Sequence, residues 1–396
     1  MGPGRAAGEP GDFSLVLGGP LYQLLRRTHL SGDALELAAR RVIGISLIAW
    51  LPLLVLSAAE GHVVSGVAVP FLLDLEVHVR FLVVVPFLVG AELVVHQRMR
   101  FVVSQFLDRD LIPQAGLERF HATVASAFRL RNSIAAEVSL VALVYIVGVM
   151  LVWRHYLALP AATWYATPSA GGTELTVSGV WFGYVSLPLF QFLLVRWYFR
   201  LFIWARFLWQ VSRIELKLVP THPDRLGGLG FLPATAHAFM PLAVAHGGMV
   251  AGLIASRIFY TGATLLSFKV EIAVIVGFML LLLFGPLMVF VPQLAAAKRT
   301  GAREYGTLAQ RYVREFEAKW LRAGAGADEA FVGSADIQSL ADLTNSYEVV
   351  RSMRIFPVTR DAALQLGIAT LAPIVPLALT MMPAEELLKQ LFQILM

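Results

Sequence analysis

Ile272-AVIVGFMLLLLFGPLMVFVPQLAA-Ala297 runs for 26 residues without a charged side chain. Coiled as a helix at about 1.5 Å per residue it would extend about 39 Å, enough to cross a hydrocarbon layer of about 30 Å. Four more uncharged runs of spanning length occur, at Val42–Ala59, Val177–Val195, Phe231–Ser256 and Ala362–Pro383. Two shorter runs, Phe81–Val95 and Val138–Trp153, reach that length if Glu92 or Glu137 lies inside the boundary. The expectation is an all-α, polytopic transmembrane helical bundle of about seven spans.

Composition agrees. Of the 396 residues, 57% are hydrophobic and only 15% charged, and the mean hydropathy is +0.69, outside the usual range of soluble domains. The formal charge of +5 does not point to nucleic acid, because the cations cluster beside the apolar runs, where anionic lipid headgroups attract them. The bilayer itself, rich in anionic lipid, is the expected partner, together with a homo-oligomer or a membrane protein. The absence of cysteine excludes disulfides, thiolate metal sites, iron–sulfur clusters and c-type haem attachment. A metal would have to use His, Asp or Glu, and no cofactor is assigned.

Lys and Arg number five before the first run, six in Arg98–Arg131, four in Arg206–Arg225 and ten in Lys298–Arg360. The alternate loops hold little beyond Arg80, Arg154, Lys269 and Lys389. The positive-inside rule therefore predicts a cytoplasmic N-terminus and an external C-terminus. Residues 1–41 form an N-terminal interfacial segment in this reading, with a weakly amphipathic Phe13–Leu30 and a helix cap at Ser31 or Asp33. Residues 42–293 hold six spans and a helical loop at 98–132, residues 294–360 form a cytoplasmic helical segment, and residues 361–396 carry the last span and an external interfacial helix. Helical spacing of Leu117, Phe120, Val124 and Phe128, and of Tyr305, Leu308, Tyr312, Phe316 and Trp320, predicts cytoplasmic amphipathic helices. A third passes through Ile337, Leu340, Tyr347 and Val350.

Four groups of residues are candidates for chemistry. Asp74, Glu76 and His78 close an apolar segment, Val63–Val79, that is too short to cross and reads as re-entrant or interfacial. They suit a metal ion or a proton, and equally an acidic loop at the headgroups. Glu92 and His96 stand four apart on one helical face, as a two-ligand site or as a buried pair between helices. Arg196, Arg200 and Arg206 punctuate an aromatic run and read as an anion or lipid-headgroup site or as snorkelling cations. Thr221-HPDRLGGL-Gly230 gathers His222, Asp224 and Arg225 with three glycines, as a catalytic loop or as a Pro/Gly turn. It lacks the Lys-Ser/Thr ending of a phosphate loop. His237 and His246 admit a b-type haem, although about 14 Å of helix between them prevents both from binding one iron.

Three segments, Pro70-FLLDLEVHVRF-Leu82, His222-PDRLGGLGF-Leu232 and Ser334-ADIQSLADLTNSYEVVRSM-Arg354, resemble an uncharacterised family of bacterial integral membrane proteins. The likeness covers nearly the whole chain and implies a bacterial inner membrane, without an activity, substrate or cofactor. From the residues, the leading expectation is a channel or transporter for a small ion or solute. The alternatives are a scaffold or sensor acting through its cytoplasmic helices and a membrane-embedded lipid-modifying enzyme using the His222–Arg225 loop. Catalysis is the weaker of these expectations.

Overall fold

A computed structural model describes residues 13–16, 18, 38–153, 162–169, 172–322, 324, 326 and 333–381. The rest of the expected N-terminal interfacial stretch, the cap at Ser31 or Asp33, Arg154 and the expected C-terminal helix lie outside the described residues. The main helices are α1 (Ala38–Ala59), α2 (Leu75–Asp108), α3 (Leu117–Arg131), α4 (Ile134–Leu143), α5 (Val177–Val211), α6 (Met240–Thr261), α7 (Lys269–Phe284), α8 (Val291–Phe316), α9 (Ala335–Arg351) and α10 (Arg360–Leu371).

Among the described residues, five helices are long and apolar enough to cross a membrane. They become up to seven if two bent pairs, Gln114–Arg131 with Ile134–Met150 (47°) and Arg360–Leu371 with Val375–Met381 (55°), each count as one span. The second bend follows from Pro373 and Pro376, whose rings disfavour helical backbone before them. Two helices depart from the sequence limits. The run expected from Phe231 becomes a long helix only at Met240, with Pro241 in its first turn, where a missing N–H costs nothing. The run from Ile272 instead continues as Leu265–Leu321, 57 residues, tightening to a 3₁₀ segment at Gly285–Phe290. At about 85 Å it is far longer than a bilayer is thick, so its charged C-terminal half projects from the apolar zone.

Helix α6 lies at the centre, between α2 and α10. Small residues make this possible: a Cβ on Gly247 would fall 1.9 Å from the Thr370 carbonyl oxygen, and one on Gly252 would touch Val79. Without a hydrophobic force between helices in lipid, such close backbone approach is a main source of association. Helix α1 buries Arg41, Ile45, Ser46, Ala49, Leu53 and Ser57 against α2 and the start of α5, a repeat of three to four residues. Its other face exposes Ile43, Leu47, Ile48, Leu51 and Val55, as a lipid-facing side requires.

The two ends of the bundle differ. At one end a two-stranded hairpin, β1 (Ala166–Ser169) and β2 (Gly172–Leu175), pairs Ala166 with Leu175. Beside it Glu60 accepts bonds from Val177 N (2.6 Å) and Ser178 Oγ (2.6 Å), satisfying the start of α5. At the other end α8 and α9 pair into a two-helix arm. Tyr305, Ala309, Tyr312 and Phe316 are partly buried on α8 and Asp336, Leu340, Leu343 and Tyr347 on α9, alternating by three and four as a coiled-coil seam does. Asp336 clasps the far end by accepting from Lys319 Nζ and Trp320 Nε1, both at 2.9 Å. Leu308 and Ile337, expected on the apolar faces, point outward.

Candidate functional site

Helix α2 brings Glu92 into the interior 17 residues after its start at Leu75, and α5 presents Arg196 and Arg200 on one face by their four-residue spacing. The carboxylate meets three guanidinium groups. Arg200 Nη2 donates to Glu92 Oε1 at 2.7 Å, Arg196 Nη1 lies at 3.3 Å from the same oxygen, and Arg41 Nη2 lies 2.5 Å from Oε2. Arg196 also reaches Glu137 Oε1 at 3.3 Å. Arg41, Glu92, Arg196 and Arg200 are buried, Glu92 to 5% exposure and Arg41 to 2%, and Glu137 is partly buried. Burial raises the cost of each charge by several kcal/mol, which only close pairing repays.

Arg41 lies in the first turn of α1, so the cluster sits where the apolar layer begins, beneath α3 and the N-terminal segment. Ser14 Oγ is 2.9 Å from His96 Nδ1, and its carbonyl accepts from Arg131 Nη1 at 2.6 Å. Phe13 is fully buried against Phe128 and Phe207, with ring centroids 5.7 and 5.0 Å away. Glu92 and His96 thus share a helical face without sharing a partner. Arg206 is separate too, donating to Ser126 Oγ at 2.8 Å beside a crevice lined by Arg129 and Phe202.

From Arg41 the buried face of α1 carries a line of polar groups. Ser46 Oγ and Ser57 Oγ are buried without a hydrogen-bond partner. Between them Ser186 Oγ donates to the Ala49 carbonyl at 2.7 Å, and Trp50 Nε1 donates to His78 Nδ1 at 2.9 Å, leaving His78 Nε2 buried and unpaired. Buried polar atoms without partners are few in proteins, and each calls for an explanation. From Arg41 to Glu60 this line covers 19 residues, about 28 Å of helix and close to the thickness of a bilayer core.

The other sequence candidates take structural positions. Asp74 caps α2, accepting from Val77 N (3.2 Å) and from Trp164 Nε1 (2.9 Å), while Glu76 pairs with Arg80. Of the segment Val63–Val79, only Leu75–Val79 joins α2, after a 3₁₀ turn at Phe71–Leu73. Among the described residues no three His, Asp or Glu side chains converge as a metal-binding group. His246 bonds to the Leu242 carbonyl through Nδ1 (2.7 Å) and to the Tyr198 hydroxyl through Nε2 (2.7 Å), so both ring nitrogens are engaged; His237 contacts Gln365.

In the Thr221–Gly230 loop, Asp224 organises its own turn. Oδ1 accepts from Leu226 N (2.8 Å) and Gly228 N (3.2 Å), and Oδ2 from Gly230 N (2.8 Å). Arg225 adopts φ 55°, a left-handed backbone, and its carbonyl accepts from Arg354 N at 2.7 Å. Nδ1 of His222 lies 3.0 Å from Asp224 Oδ1 and 3.2 Å from Asp224 N, so it can donate to the carboxylate or accept from the backbone N–H. A side chain on Gly230 would fall 2.7 Å from Asp224, which explains one glycine of the motif.

Burial alone would raise the Asp224 pKa, but the N–H groups of Leu226, Gly230 and Gly228, with His222 nearby, lower it overall. A depressed carboxyl stabilises the fold above its unfolded pKa, and that contribution is lost as pH falls through the lower folded value. Asp224→Ala is therefore expected to cost about 3 kcal/mol in thermal unfolding at neutral pH. The gap between wild type and Asp224→Asn should close as the pH falls below about 4.

Three residues of the buried cluster escape a reading by motif. Arg41 counts only as a topological charge in the sequence, Arg131 only as a loop cation, and Glu137 only as a span boundary. The available signal was their position: ionisable residues bordering apolar runs are expensive and tend to be functional. Comparison with known families, with curated proteins and with solved structures finds no match to this chain.

Proposed function

We propose that this chain carries a small ion across a membrane, along the polar line on the buried face of α1 and through the ionic cluster at its foot. The observation behind the reading is that line: Ser46, Ser57 and His78 present buried, unpaired polar atoms over about 16 Å of α1, in the middle of the longer polar line from Arg41 to Glu60. Such groups offer successive weak sites, as conduction needs binding strong enough to enter and weak enough to leave. The location proposed is a bacterial inner membrane. The Lys/Arg-rich end, with the arm, is assigned to the cytoplasm by the positive-inside rule. A catalytic role for the Thr221–Gly230 loop has less support, because three backbone N–H groups occupy the Asp224 carboxylate.

The test is ion flux into vesicles reconstituted with the full chain, comparing wild type with Ser46→Val. Losing a hydrogen-bonding step of about 1.4 kcal/mol should slow flux roughly tenfold. No flux of any inorganic ion or proton by folded wild type would sink the proposal.

A second reading rests on the α8–α9 arm, which projects beyond any bilayer and exposes Leu308, Val313 and Ile337. In that reading the arm binds a membrane partner protein, and crosslinking from Lys298–Arg360 in native membranes captures it. An arm that crosslinks only to its own chain would remove this reading.

A further inference from the structure

Around Glu92 and Glu137 the described residues place four arginines, Arg41, Arg131, Arg196 and Arg200. Guanidinium groups do not lose their protons in proteins, so among the described residues this group, with Arg131 and Glu137 partly buried and the rest buried, carries two more positive than negative charges. An excess of that kind in a low-dielectric interior is costly and repels cations. The Arg41 guanidinium shows the deficit directly, because its Nε is buried with no acceptor at 2% residue exposure. Among the described residues two carboxylates are divided among four cations, which leaves room for another negative charge.

A cavity lies within the same group of charges, although Arg41 does not line it. It measures about 10 Å³ and is lined by Leu15, Arg131, Glu137, Arg196, Phe199 and Arg200, a volume that holds one particle the size of a water molecule. Three of the lining residues are arginines, and Leu15, 1% exposed, reaches the cavity from the Phe13–Val16 segment. Resting on the ion-passage reading above, we infer that the ion is a small monovalent anion of halide size, held between Arg131, Arg196 and Arg200 beneath Leu15. Fluoride meets both the charge and the size, and chloride meets the charge but needs the lining to yield slightly. A phosphate or carboxylate is too large for the cavity as it stands.

Two measurements on the full chain test this. The first is thermal unfolding in detergent with sodium fluoride or chloride against sodium gluconate at equal ionic strength, for wild type and Arg131→Gln. A ligand that binds only the folded state raises its melting temperature, so a halide-dependent rise of several degrees, lost in Arg131→Gln, is expected. The second is halide, cation and proton flux from vesicles. A halide-dependent rise without any flux upholds the anion site and ends the ion-passage reading. Cation or proton flux with no halide effect on stability upholds passage and overturns the anion site. Neither response overturns both. Leu15→Ala leaves every arginine in place; faster halide flux supports the covering role of Leu15, and unchanged flux overturns it.

Discussion

Glu92→Ala is expected to abolish a stably folded, monodisperse protein. The substitution leaves Arg41, Arg196 and Arg200 facing one another with Glu137 as the acidic partner that remains among the described residues. Breaking a buried ion pair by removing one member typically costs about 3 to 5 kcal/mol, and here one carboxylate serves three cations. Size-exclusion profiles and unfolding temperatures in mild detergent provide the readout. Glu92→Gln keeps the shape and one acceptor, so it should fall between the two. A Glu92→Ala protein as stable as wild type would mean that the cluster is solvated rather than buried, and the ion path drawn from it would have to be abandoned.

The second large effect is expected at Gly247. A valine there must place its Cβ where the Thr370 carbonyl and Pro373 now sit, at 1.9 and 3.3 Å from the ideal position. Neither neighbour is a flexible side-chain tip, so α6 and α10 have to part. Overpacking of this kind costs about 3 kcal/mol, at the upper end of its usual range, and it opens the centre of the bundle. Gly277→Ala is the control, because nothing lies within 4 Å of its Cβ position on α7. Removing an unneeded glycine from a helix should there give a gain of up to about 1 kcal/mol. Equal unfolding temperatures for the two variants would show that α6 and α10 do not pack as described.

How much was legible beforehand varies with the kind of evidence each element leaves in the sequence. Long uncharged runs such as Val42–Ala59 and Ile272–Ala297 announce helices because lipid tolerates little else. Their ends were less legible. Nothing in residues 298–321 marks where the Leu265–Leu321 helix stops, since basic and apolar residues both accept helical backbone. The Asp224 loop stood out by composition, yet only the fold shows its carboxylate turned onto its own backbone. Leu308 and Ile337 fit the helical period and still face outward, because a two-helix seam uses a narrower stripe than the period alone implies.

The buried cluster marks the boundary most clearly. From sequence, Glu92 and His96 form a pair by spacing, and Arg196 and Arg200 form another. Spacing says which residues share a helix face, but not which face another helix will meet. The tertiary structure set Glu92 against Arg200, His96 against Ser14, and Arg41 against both Glu92 and the start of the apolar layer. Sequence by itself determined that this chain is a helical bundle with membrane-like spans, because solvent selects for that property one residue at a time. Which charges neutralise one another was decided only by packing, since the partners lie 51 to 108 positions apart and a Coulomb interaction depends on distance in space, not along the chain.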